Sequence, residues 1–247
     1  MLGEPTMPDN LTSLYEREEE IRRDSLAMID GDSDLRAHLL MIHCSMCAVF
    51  ALAHDHVHLS EDELTVQFLG LRLFNSAASA LKLALAGYYQ SAFGPVRDLF
   101  ETTALMDYLQ SFPQQIAVWR ASAKKQRMKE FGPPAIRDAL DKRDGFQCRK
   151  RQQTYERFSE YAAHPTAPGF KLLAPEGLGE IGPFLSQKYL RAWMKETVKL
   201  LVHGAVVFAS HFPDVEPPVR LAEGGFLREA DVWRKRYLGD NTPEQPA

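Results

Sequence analysis

Along most of the chain apolar residues recur every three to four positions, and the periodic stretches are separated by short clusters of Gly, Pro, Asp and Ser. Leu11–Ile29 predicts a first helix, with Glu18/Arg22 and Glu19/Arg23 spaced i,i+4 on a solvated face. Asp30-Gly-Asp-Ser-Asp34 breaks it and supplies capping side chains, so a second helix is expected from Leu35 to His56. Ser60-Glu-Asp-Glu63 has the form of a capping box. It opens a third helix to Ala86, rich enough in Leu, Ala and Phe to be expected buried on most sides. Gly87 marks a turn, and Tyr88–Ser111 is a fourth helix that carries Pro95 near its start and ends at Phe112-Pro113.

Pro113–Lys129 and Pro134–Arg143 read as shorter helices on either side of Phe131-Gly-Pro-Pro134, and Phe146–Ala163 as another, stopped at His164-Pro165. Pro165–Phe184 holds four glycines and four prolines around the apolar pieces Phe170–Leu173 and Ile181–Phe184, and an ordered loop or small hairpin is expected. Leu185–Phe212 is a long helix, Pro213–Pro218 a break, and Leu227–Leu238 a last amphipathic helix. With no internal repeat, this pattern predicts an all-α, up-and-down helical bundle. The expected organisation is one bundle domain over residues 11–212, a disordered N-terminus over 1–10, and a C-terminal helix with a flexible tail over 213–247.

Composition narrows the class and leaves the function open. The 247 residues are 45% apolar and 25% charged, enough for a sizeable core. Three cysteines do not make a disulfide scaffold and suit a reducing compartment. MLGEPTMPDN has no basic region followed by an apolar run, and no stretch reaches about 18 consecutive apolar residues. A cytoplasmic protein without a membrane partner is therefore expected.

Polar residues that interrupt apolar faces carry the candidate chemistry. On the fourth helix Gln90, Gly94, Arg97, Glu101, Ala104 and Tyr108 fall within about 80° of one another, and most other directions are apolar. Arg97 and Glu101 are one turn apart, so the stripe is either an internal ion pair that fixes packing or the wall of a polar pocket. On the helix before the glycine-rich loop, Gln153, Arg157, Tyr161 and His164 share a face, with Glu160 on its flank. Arg can clamp a phosphate oxygen and His is matched to proton transfer near neutrality, although a histidine there can equally cap the helix end.

Arg157 followed by six residues and His164 resembles the Arg-x(4–6)-His signature of the HEPN superfamily. That all-helical group includes metal-independent ribonucleases of bacterial toxin–antitoxin and defence systems beside many inactive members. Gly87-Tyr-Tyr-Gln-Ser, Val96-Arg97, Leu99-Phe100-Glu101, Ser159-Glu-Tyr161, His164-Pro165 and Glu180-Ile-Gly-Pro183 are also similar to an uncharacterised bacterial HEPN-like helical family. The resemblance spans residues 65–210. It implies an endoribonuclease in which His164 is general base or acid and Arg157 stabilises the pentacoordinate phosphate. Arg97 and Glu101 would position that pair, and Tyr161 completes the candidate catalytic set. It also implies a homodimer that brings two such pairs together, and an antitoxin protein as a possible partner. Phe158 stands where active HEPN ribonucleases usually carry Asn, Asp or His. The alternative is accordingly a non-catalytic HEPN-like binding or dimerisation module, its Arg, Glu and His side chains forming a buried polar network.

Charge sharpens the RNA expectation. The chain totals −4, yet Arg120–Arg151 holds eleven basic residues against four acidic ones, leaving −11 for the remainder. Arg120, Lys124, Lys125, Arg127, Arg149, Lys150 and Arg151 are the candidate RNA contacts, and Trp119 and Tyr155 could stack bases. His43, Cys44, Cys47, His54, His56 and His58 cluster in sequence, but Cys47 and His54 would lie about 10 Å apart along a helix, too far for one zinc. No metal site and no cofactor are expected, and no phosphate-binding loop, dinucleotide fingerprint, His-Glu-x-x-His pair or nucleophile elbow is present.

Overall fold

Ten α-helices carry the computed structural model, which describes residues 9–147, 149–163 and 165–239. They are α1 (Asp9–Asp30), α2 (Ser33–Phe50), α3 (Glu61–Leu85), α4 (Tyr89–Ser111), α5 (Gln115–Ala121), α6 (Lys124–Glu130), α7 (Pro133–Arg143), α8 (Lys150–Phe158), α9 (Gln187–Ala209) and α10 (Pro217–Leu238). Among the described residues there is no strand, so the chain is an all-helical bundle.

Local chemistry sets the helix ends. The Asp32 carboxylate accepts the Asp34 and Leu35 amides at 3.0 Å and caps α2. Ser60 caps α3 through the Glu63 amide, while the Glu63 side chain accepts the Leu59 amide at 2.6 Å, one residue earlier than a regular capping box. α2 runs out into a π turn over Ala51–Asp55, and buried Gln67 donates to the carbonyls of Leu52 and His56 there.

The core lies where α3 packs along α4 and α9 packs on both α2 and α4. Leu73, Leu99, Met106, Trp193 and Phe208 are sealed from solvent in it. Close approach depends on small residues. A Cβ at Gly70 would sit 2.2 Å from Phe208 Cζ, and one at Gly204 would sit 2.6 Å from Thr103 Oγ1. Buried Ala77, Ala80, Ala84 and Ala92 likewise thin the α3–α4 region. One face of α3 stays outside, because Phe68 and Leu71 are exposed; the expectation of burial on most sides fails there.

Elsewhere the boundaries shift for identifiable reasons. Pro113–Lys129 is two helices, split at Ser122-Ala123, where extended backbone turns the chain. The helix expected from Phe146 starts only at Lys150, since Arg149 adopts φ 46° in the left-handed region. The hairpin alternative for Pro165–Phe184 is not realised among the described residues; a 3-10 turn over Gly169–Leu173 is the regular element there. The final helix begins ten residues before Leu227, because Pro217-Pro218 occupy its first turn, where proline is tolerated, and do not break it. α10 buries Val219, Phe226, Ala230 and Trp233 against the main core.

By length and composition alone, Ser33–Asp55 and Glu61–Leu85 reach what a membrane-crossing helix needs, which run length did not suggest. Both contribute to the core described above, an arrangement compatible with a soluble protein.

Candidate functional site

α4 holds Arg97 and Glu101 on the side that faces α7 and α8. Arg97 Nε donates to Glu101 Oε1 at 3.1 Å, as the i,i+4 spacing allows, and Arg97 Nη2 donates to the Tyr155 hydroxyl at 2.5 Å. The Tyr155 ring carries the Arg97 guanidinium 4.7 Å from its centroid and that of Arg137 at 4.0 Å. Tyr155 from α8 thus joins Arg97 from α4 to Arg137 from α7.

Arg137 is only 3% exposed. Its Nε and Nη2 donate to Gln152 Oε1 at 3.1 and 2.8 Å, and Gln152 Nε2 in turn donates to Glu156. Nη1 is buried without a partner, and no carboxylate lies within ion-pair distance among the described residues. Burial pushes the guanidinium below its ordinary pKa, opposed by Tyr155 and then by the Glu101 carboxylate. The side chain nevertheless stays charged.

Glu101 and Arg137 line a cleft of about 230 Å³ whose walls include Leu69, Trp119, Phe131 and Ile136. Its rim bears Arg72 and Asp98, themselves an ion pair. No metal-binding group of three His, Cys, Asp or Glu side chains occurs among the described residues. His54 bonds Asp55, and His56 turns inward to Glu216 at 2.7 Å, so the histidines of this region do not converge. In comparisons with protein-family models, with curated proteins and with solved structures, nothing matches this chain.

The residues singled out from the sequence separate into distinct places. Arg97 meets Glu101 and Tyr155, not Arg157. Arg157 is exposed on the opposite side of α8, without an ion pair among the described residues. The inward face of that helix is set by Tyr155 and by Phe158, which is buried and packs near Phe93 and Phe100. Tyr161 sits half-buried in a π turn over Ser159–Ala163, and His164 lies outside the described residues.

Part of the basic segment is paired within the fold. Arg120 donates to Asp62 at 2.8 Å and to the Glu61 carbonyl at 2.6 Å. Arg151 pairs with Asp141 at 2.8 Å and also with Asp144, while Arg143 bonds Asp107 at 2.6 Å, which ties α8 and α7 to α4. Arg127 donates to the Ser122 carbonyl at 2.7 Å, and the Lys150 ammonium stands 4.8 Å from the Phe146 ring. Lys124, Lys125 and Arg149 are exposed.

Sequence reasoning missed Arg137 and Gln152. Their only early signal is a charged residue in the apolar setting of Ile136, Ala139 and Leu140.

Proposed function

We propose that the chain is a non-catalytic helical binding and dimerisation module with an up-and-down, HEPN-like arrangement, its polar network shaping a ligand cleft. One observation carries this reading: Arg97 and Glu101 close on Tyr155 beside buried Arg137, so the polar stripe of α4 serves packing and the cleft. Phe158 supports it, because a buried aromatic occupies the place where the ribonucleases of this group usually carry a polar residue. A second copy of the chain would meet the exposed apolar positions Phe68 and Leu71 of α3.

A second reading, a metal-independent endoribonuclease of a bacterial defence or toxin–antitoxin system, draws on exposed Arg157 and on exposed Lys124 and Lys125. Incubating purified protein with RNA in the presence of a chelator separates the two. The module reading expects no cleavage above buffer, and equal traces for wild type and His164→Ala. Cleavage that disappears in His164→Ala would establish the ribonuclease instead.

A further inference from the structure

We propose that the cleft between α3, α4, α5 and α7 binds a small carboxylic acid with a ring-sized apolar body, its carboxylate held by Arg137. This assignment rests on the binding-module reading above and names the ligand class for that cleft.

Charge balance selects an anion. Of the charged groups around the cleft, Arg72 is paired with Asp98 and Glu101 with Arg97, while Arg137 has no ion pair among the described residues. A buried charge normally has a partner, because the interior replaces hydration poorly. Gln152 takes only the Nε side of the guanidinium and offers it a neutral oxygen. Nη1 is buried with its donors unused and Arg137 lines the cleft, so a carboxylate entering the cleft would supply the charged partner that this guanidinium lacks.

The same balance selects a single negative charge. Glu101 lines the cleft with Arg137, so a phosphate dianion would face a carboxylate as well as the Arg137 guanidinium. The walls select the body: Leu69, Trp119, Phe131 and Ile136 offer two aromatic and two branched surfaces and few polar atoms. A volume of about 230 Å³ lies below the roughly 300–1,000 Å³ of ordinary ligand clefts, which suits a one-ring acid and is small for a nucleotide.

Isothermal titration calorimetry with phenylacetate, cyclohexanecarboxylate and the uncharged phenylacetamide tests the assignment on the full chain. Both acids should bind at least about tenfold more tightly than the amide, the gain expected of one charge-assisted contact. Arg137→Met, which keeps an unbranched apolar stem beside Tyr155, should abolish that preference while the amide still binds. Trp119→Ala, at a half-exposed wall position, should weaken acids and amide alike, and it serves if Arg137→Met does not fold. Equal affinities for acid and amide in the wild-type chain would overturn the assignment. So would the absence of acid binding at about 10 mM, the weak limit for a usable site. RNA cleavage lost in His164→Ala would overturn the module reading whatever the acids do. A chain that cleaves no RNA and does not distinguish acid from amide overturns only the ligand assignment.

Discussion

Replacing Arg97 with alanine removes three contacts at once: the ion pair to Glu101, the hydrogen bond to the Tyr155 hydroxyl, and the guanidinium against the Tyr155 ring. The Arg97 and Glu101 side chains are 25% and 28% exposed, so the ion pair is partly screened and contributes about 0.5 kcal/mol. The hydrogen bond adds about 1 kcal/mol and the ring contact about 0.5 kcal/mol. Arg97→Ala should therefore lower the unfolding free energy by about 2 kcal/mol, or the melting temperature by about 4–8 °C in a chain of this size. Tyr155→Phe keeps the ring and removes only the hydroxyl, a loss of about 1 kcal/mol. Since Arg97→Ala already removes that bond, the double variant should lose about 2 kcal/mol, giving a coupling of about 1 kcal/mol. Urea denaturation of the four proteins measures it. A loss below about 0.5 kcal/mol for Arg97→Ala, or a coupling of zero, would refute the docking of α8 through Tyr155. A loss of 3–5 kcal/mol, the range of about what breaking a fully buried pair costs, would mean that the pair is sealed more deeply than its exposure allows.

Three further outcomes follow from particular contacts. Gly70→Ala places a methyl 2.2 Å from Phe208 Cζ, and Phe208 is sealed in the core, so thermal unfolding should show a loss of about 1–3 kcal/mol, partly restored by Phe208→Leu. Glu216 has its carboxyl lowered from 4.5 to about 2, first by the hydrogen bond from His56 and then by backbone amides including that of Val57. A depressed carboxyl adds stability above its unfolded pKa and loses it as pH falls through the folded one. Glu216→Gln should thus be less stable than wild type near pH 6, with the gap in melting temperature closing between about pH 4.5 and 2. Phe158→Asn restores the residue type usual in the ribonucleases of the resembled group but removes a buried ring, so it should destabilise by about 3 kcal/mol in denaturant titrations and confer no RNA cleavage.

Helices with clear apolar periodicity and strong ends were legible from the chain. Ser60 caps α3, and Arg97 and Glu101 pair at one turn, because both contacts are local. Tyr155 and Arg137 as partners of that pair were not legible: Tyr155 meets Arg97 across 58 residues, and no periodicity encodes which helices become neighbours. On α8 the polar stripe through Arg157 lies on the exposed side, and Tyr155 and Phe158 are the inward positions. Their three-residue spacing is the signal in the sequence that turns Arg157 outward. Pro213–Pro218 reads as a break because proline ends helices from within, whereas Pro217 and Pro218 lie in the first turn of α10. The pairing of Arg120 with Asp62 and of Arg151 with Asp141 and Asp144 is tertiary, so the net charge of the segment does not reveal it.

Hydrogen exchange of the α8 amides, followed in wild type, Tyr155→Phe and Arg157→Ala, tests most directly whether the polar stripe of α4 closes on Tyr155. Losing about 1.4 kcal/mol of local stability speeds exchange about tenfold. With α8 held through the Tyr155 hydroxyl, exchange over residues 150–158 should be several-fold faster in Tyr155→Phe and unchanged in Arg157→Ala. Equal acceleration in both variants, or acceleration in Arg157→Ala alone, would contradict that attachment.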